Sequence, residues 1–100
     1  LLDFAIQKGR WHAPKGRGRG RGLAVGDTSY YPSYPSSTKA AIVDVSLDEQ
    51  AGLRVDHVFL AIDAGTVINP DIVHAQLEGG IAYALTTALH SEITVENGQV

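Results

Sequence analysis

Ala41–Asp63 reads AIVDVSLDEQAGLRVDHVFLAID, and how this stretch folds decides the rest. In its first part Ala41, Val43, Val45 and Leu47 fall on one side of an extended chain. Ile42, Asp44, Ser46 and Asp48 fall on the other. Period two of this kind marks a strand with one dry face, here over about residues 40–48. Glu49-Gln50-Ala51-Gly52 has the composition of a turn, and residues 53–63 return as a second strand. That strand alternates at first and becomes apolar on both faces from Val58 to Ile62, the pattern of a central strand. Two strands joined so tightly predict an antiparallel hairpin.

Downstream, Asn69-Pro70-Asp71 is a helix start with a reason for each residue. Asparagine caps, proline suits the first helical position because no N–H is needed there, and aspartate complements the positive end of the dipole. Val73, Leu77, Ile81, Ala84 and Ala88 then form an apolar stripe, widened by Leu85 and Leu89, so the helix should span about 70–90. Residues 92–96 alternate again, and Asn97-Gly98 signals a type I′ turn. Upstream, Leu1–Gln7 reads as the last turns of a helix ending near Gly9, followed by a basic loop to about residue 20. A further strand fits about 21–30, and the proline- and serine-rich connection after it, Tyr31–Ser37, cannot be a central strand. The expectation is an α+β fold: antiparallel strands at about 21–30, 40–48, 53–63 and 92–96, packed on one helix at about 70–90. Residues 1–20 lead into this β-β-β-α-β core, and the whole chain belongs to one larger domain.

Composition bounds the function. The chain has 100 residues, 44% of them hydrophobic and 19% charged, which suits a folded domain rather than a disordered segment. It has no cysteine, so neither a disulfide nor a thiolate metal site can be built from it. No apolar run approaches the roughly 20 residues of a membrane span. Methionine is absent and the final turn has no strand after it, so the sequence reads as an internal stretch of a longer chain. Charge is uneven: residues 1–22 hold six basic side chains and one acid, and residues 23–100 hold two basic and ten acidic.

The basic excess centres on Pro14–Gly22, PKGRGRGRG. Alternating arginine and glycine could track phosphates as a mobile arm, the basis of an alternative reading as a small non-enzymatic module that binds nucleic acid or an acidic partner. No aromatic is interleaved for base stacking, and the segment runs straight into a strand. It reads better as a strand lead-in with its arginines on one face, and nucleic acid is not an expected partner.

Gly79-Gly80 lies mid-helix, where each glycine costs about 1 kcal/mol against alanine. Ala75, Gly79 and Ala82 share one side, so another backbone or a ligand could come close there. His74 and Glu78 are a helical i, i+4 pair, and His12, His57 and His90 have no companion at ligand spacing. No glycine-flanked nucleophile is present. The residues alone therefore suggest no catalytic group and no metal site. Asp63-Ala64-Gly65 followed by a capped helix is a junction that faces a ligand in many α/β arrangements.

The ordered string Asp63-x-Gly65, Asn69-Pro70-Asp71 and Gln76-Leu77-Glu78-Gly79-Gly80, with GRGRG before it and Glu92-Ile93-Thr94 after, resembles one family from about Gly18 to Val100. It is similar to the molybdenum-cofactor-binding large subunit of the xanthine dehydrogenase and aldehyde oxidase family, in the branch of the isoquinoline 1-oxidoreductase β-subunit type. The resemblance implies a molybdenum–pterin dinucleotide, the cytosine form in this branch, with iron–sulfur clusters on a small partner subunit. It implies oxidative hydroxylation of a small aromatic N-heterocycle, or oxidation of an aldehyde, with water as the oxygen source. It puts the family's catalytic glutamate downstream of residue 100, so this stretch alone should be inactive. Gln76, Gly79 and Gly80 match the family string and are the expected cofactor-side residues. Ala64 departs from it, standing where many relatives carry cysteine.

Overall fold

The computed structural model describes residues 1–28 and 36–100. It divides into two compact units, Leu1–Gly65 and Thr66–Val100, each described by itself.

The first unit is a three-stranded antiparallel sheet with a short helix seated on it. Helix α1 spans Leu2–Lys8, β1 Arg19–Asp27, β2 Thr38–Asp48 and β3 Gly52–Asp63, in the sheet order β1-β2-β3. The expected hairpin is the β2–β3 pair, running from Thr38↔Asp63 to Asp48↔Gly52. Its turn closes on Asp48, whose Oδ1 accepts the N–H groups of Gln50 (2.8 Å) and Ala51 (3.1 Å). Gly52 leaves the turn at φ +75°, a conformation that glycine adopts without steric penalty.

The structure changes three expectations for the sheet. First, β2 is the central strand of the described sheet and β3 lies at its edge. The doubly apolar run Val58–Ile62 reflects two covered or half-covered faces, not neighbours on both sides. Second, β1 begins at Arg19 and ends at Asp27, while the expected strand ran to residue 30. Thr28 and Ser37 exchange backbone and hydroxyl hydrogen bonds across the β1–β2 connection, and residues 29–35 of that connection lie outside the described residues.

Third, the dry face of β2 is the opposite one. Ala40 and Ile42 are buried, whereas Leu47, on the face expected inside, is 68% exposed. Helix α1 covers the even-numbered face: Ala5 packs with Ala40, Ala61 and Phe59. The rings of Phe4 and Phe59 meet at 6.5 Å between centroids. Both faces of β2 carry branched apolar residues, so alternation alone could not decide between them. The choice falls to the element that can come closest, and α1 presents alanine and glycine to the sheet. A register shift between Asp44 and Val45 leaves Asp56 as an extra residue on β3, a β-bulge.

The second unit is built on α2, Pro70–His90. The cap forms as expected: Asn69 Oδ1 accepts the N–H groups of Asp71 (3.0 Å) and Ile72 (3.3 Å). Asn69→Ala is expected to destabilise the helix by about 1 kcal/mol. The loss is read as faster hydrogen exchange at Asp71 and Ile72, with the β2–β3 amides unaffected. Val73, Leu77, Ile81 and Leu85 recur every four residues and are half-buried, but no residue of α2 is buried.

The core of the first unit forms under α1. The expected strand 92–96 does not form. Residues 91–95 have no regular structure, and pairing is confined to the Glu96–Gln99 bridge. The tight turn is present, with Asn97 at φ 51° and Gly98 at φ 79°, and it returns the chain for only Gln99 and Val100.

Candidate functional site

Gln76, Gly79 and Gly80 sit at i, i+3 and i+4 on α2, so the helix repeat brings them to one face. All three are exposed. Neither glycine is in the left-handed region, and a Cβ added to either would meet nothing within 4 Å. Backbone conformation therefore does not call for glycine at these positions, and neither does packing in the described structure. The Gln76 amide beside them offers two donors and an acceptor. Ile72 (60% exposed) and Tyr83 (78% exposed) flank them, so this side of α2 is apolar at its margins and bare in the middle. At the end of β3, Gly65 takes φ +69° and donates its N–H to Asp63 Oδ1 at 3.1 Å, which accounts for the Asp63-x-Gly65 spacing as an Asx-type turn.

A second cluster lies under α1, where the sequence suggests no site. Arg21 on β1 and Asp44 on β2 are cross-strand partners. Arg21 Nε and Nη2 donate to Asp44 Oδ1 and Oδ2 at 2.6 and 2.9 Å, a bidentate pair. Arg21 Nη1 donates to the carbonyls of Arg10 and Trp11. Lys15 Nζ lies 2.8 Å from Asp44 Oδ2. The Arg21 and Asp44 side chains are only 9% and 14% exposed. One signal was available: Arg21 and Asp44 are oppositely charged residues inside two strands, and antiparallel pairing can set such residues opposite one another. Arg21, one of the arginines of the basic segment, is thus tied into the fold. Arg19 lies in the paired strand beside it.

Arg21, and then Lys15, hold the Asp44 carboxyl well below the usual carboxylate range by hydrogen bonding to its ionised form. A depressed folded-state pKa means that the unfolded chain binds more protons in that range. The stabilisation is therefore complete above the ordinary carboxylate pKa of about 4 and is lost as pH falls through and below it. Asp48, lowered by the Gln50 and Ala51 amides, acts in the same direction. Asp44→Asn is expected to flatten the fall in urea midpoint between pH 5 and acid, leaving the residual slope due to Asp48. An unchanged slope would show that the pair is not what acid breaks.

Among the described residues no three His, Asp or Glu side chains come together as a metal could require. Among the described residues no helix is long and apolar enough to cross a membrane.

Residues 7–100 match the family described as Molybdopterin cofactor-binding domain. The chain belongs to that family. The resemblance carried by Asp63-x-Gly65, Asn69-Pro70-Asp71 and Gln76–Gly80 is thereby confirmed. This molybdopterin cofactor-binding segment is 39% identical over 80 residues to the β subunit of isoquinoline 1-oxidoreductase from Brevundimonas diminuta, covering 79% of the chain and 10% of that protein. It is 33% identical over 72 residues to nicotine 6-hydroxylase large subunit of Paenarthrobacter nicotinovorans, covering 71% of the chain and 8% of the relative. It is 29% identical over 85 residues to a nicotinate dehydrogenase subunit of Pseudomonas putida, covering 84% of the chain and 7% of the relative. The segment thus spans a tenth or less of these relatives. No solved structure matches it.

Proposed function

We propose that this chain is part of the large subunit of a molybdenum hydroxylase, and that its α2 helps to hold the pterin cofactor. The observation that carries the reading is the family match over residues 7–100, together with relatives whose names describe oxidoreductases and a hydroxylase of N-heterocycles. The proposed reaction is oxidative hydroxylation of a small aromatic N-heterocycle, or oxidation of an aldehyde, with oxygen taken from water. The proposed cofactor is the cytosine dinucleotide form of molybdopterin. Iron–sulfur clusters on a small partner subunit would carry the electrons away.

The residues present fit such a group. Two adjacent glycines leave open space where side chains would stand, and Gln76 sets an amide at the edge of that space. When bound, the cofactor supplies the redox centre. The role proposed for this chain is binding and orientation: Gln76 hydrogen-bonds polar atoms of the pterin, and Gly79 and Gly80 admit it close to the helix backbone. No residue of 1–100 is proposed as the catalytic base.

The test uses the full-length protein. Purified protein should contain molybdenum and release a pterin. With an N-heterocycle in ¹⁸O-labelled water, it should place the label in the hydroxylated product. Label arriving from O₂, or protein free of pterin when made in a host that supplies the cofactor, would overturn the reading. The 100-residue chain alone is expected to show no turnover even with cofactor added.

A further inference from the structure

We propose that the cleft between the α1–β1 loop and the sheet is a binding site for a phosphoryl dianion, a proposal that does not rest on the molybdenum reading. The cleft has a volume of about 400 Å³ and is lined by Lys8, Arg10, Lys15, Arg21, Asp44 and His57 over a floor at Gly9 and Phe59. Four of these side chains are cations and one is a carboxylate, so the lining has an excess of three positive charges in a chain of net charge −3.

The one carboxylate cannot neutralise the rest. Asp44 Oδ1 is taken by Arg21, and Oδ2 is shared by Arg21 and Lys15. Among the described residues, neither Lys8 nor Arg10 has a carboxylate at ion-pair distance. Arg10 is also held at φ 54°, the left-handed region that costs a non-glycine residue about 1–2 kcal/mol. Strain of this kind persists where surroundings over-determine it, and here the Arg10 carbonyl is fixed by Arg21 Nη1. The backbone is thus pinned while the Arg10 side chain stays free at the rim.

These features select the ligand class. A monocarboxylate would cancel one charge, a role Asp44 already fills. A phosphoryl group brings two charges and three oxygens, enough to take donors from Lys8, Arg10 and the uncommitted N–H groups of Lys15 together. The volume leaves room for an organic substituent on the phosphate.

The test is amide-resolved NMR of the full-length protein titrated at constant ionic strength with inorganic phosphate, glycerol phosphate, acetate, chloride and a single-stranded oligonucleotide. Phosphate and glycerol phosphate should saturate shifts confined to residues 8–16, 21, 44 and 57. Acetate and chloride should not, and the oligonucleotide should not compete. Lys8→Gln and Arg10→Asn (asparagine tolerates the positive φ) should each weaken phosphate binding about three- to fivefold, the scale of one exposed charge contact. Lys39→Gln, outside the cleft, should leave it unchanged. Several outcomes overturn the proposal: shifts equal with chloride, binding indifferent to Lys8 and Arg10, or oligonucleotide bound in preference to phosphate. A spectrum without dispersed β2–β3 amides also overturns it, because the cleft exists only with α1 seated.

Discussion

Gly79→Leu in the full-length protein is expected to empty it of pterin. The pterin released per polypeptide should fall at least about tenfold, equivalent to about 1.4 kcal/mol of lost retention. Hydrogen exchange in β2 and β3 should not change. Two adjacent glycines in the interior of a 21-residue helix cost about 1 kcal/mol each against alanine. Such glycines are usually offset by a tight internal contact or a positive φ, and neither applies: both Cβ positions are open, and neither residue has φ above zero. What remains is a requirement for room on that face, beside Gln76. Gly79→Ala makes the comparison sharp. If nothing approaches the helix, alanine should raise helix stability by about 1 kcal/mol and leave pterin content alone. If the cofactor lies there, even the methyl group should lower retention while the helix becomes more stable. A Gly79→Leu protein that keeps full pterin removes α2 from the cofactor site.

How much of this can be read from the sequence differs from element to element. The β2–β3 hairpin is legible because alternation and the Glu49–Gly52 turn are local signals. Helix α2 is legible because Asn69, Pro70 and Asp71 each act within one turn. Gln76, Gly79 and Gly80 can be assigned to one face from the helix repeat alone. The covered face of the sheet is not legible: Val43 and Val45 look as suitable for a core as Ala40 and Ile42. The decision rests on α1, which comes close only because residues 5 and 9 are small. The Arg21–Asp44 pair spans 23 positions, and no local pattern links them. The strand expected at 92–96 fails for the same class of reason, since alternation in Glu92–Glu96 describes a surface suited to pairing but supplies no partner. The bulge at Asp56 leaves no composition signal.

Gly9→Val should be the most damaging single change to the first unit. Gly9 ends α1 at φ −77°, a backbone that any residue can adopt, so its conformational freedom is not the issue. The issue is space. A Cβ there would lie 2.6 Å from the Ala5 carbonyl oxygen, 2.6 Å from Ile42 Cδ1 and 3.1 Å from Phe59 Cδ1. The Phe59 and Ile42 side chains could yield slightly, but the carbonyl belongs to the helix itself. Moving α1 away would uncover Ala5, now fully buried against Ala40 and Ala61. Overpacking of a filled site costs about 1–3 kcal/mol, and valine adds two further methyl groups to a position closed on three sides. At about 4–8 °C per kcal/mol for a domain of this size, a loss near 3 kcal/mol lowers the melting temperature by more than about 10 °C. Gly22→Val is the control. Gly22 lies on β1 with nothing within 4 Å of its Cβ position, and valine favours strands, so little loss is expected there. The damage should extend beyond α1, because Arg21 takes the carbonyls of Arg10 and Trp11 just after that helix. With α1 displaced, Arg21 keeps only Asp44, and the acid sensitivity assigned to that pair should shift as well. If the two variants melt alike, α1 is an ornament on the sheet rather than the element that chooses its buried face.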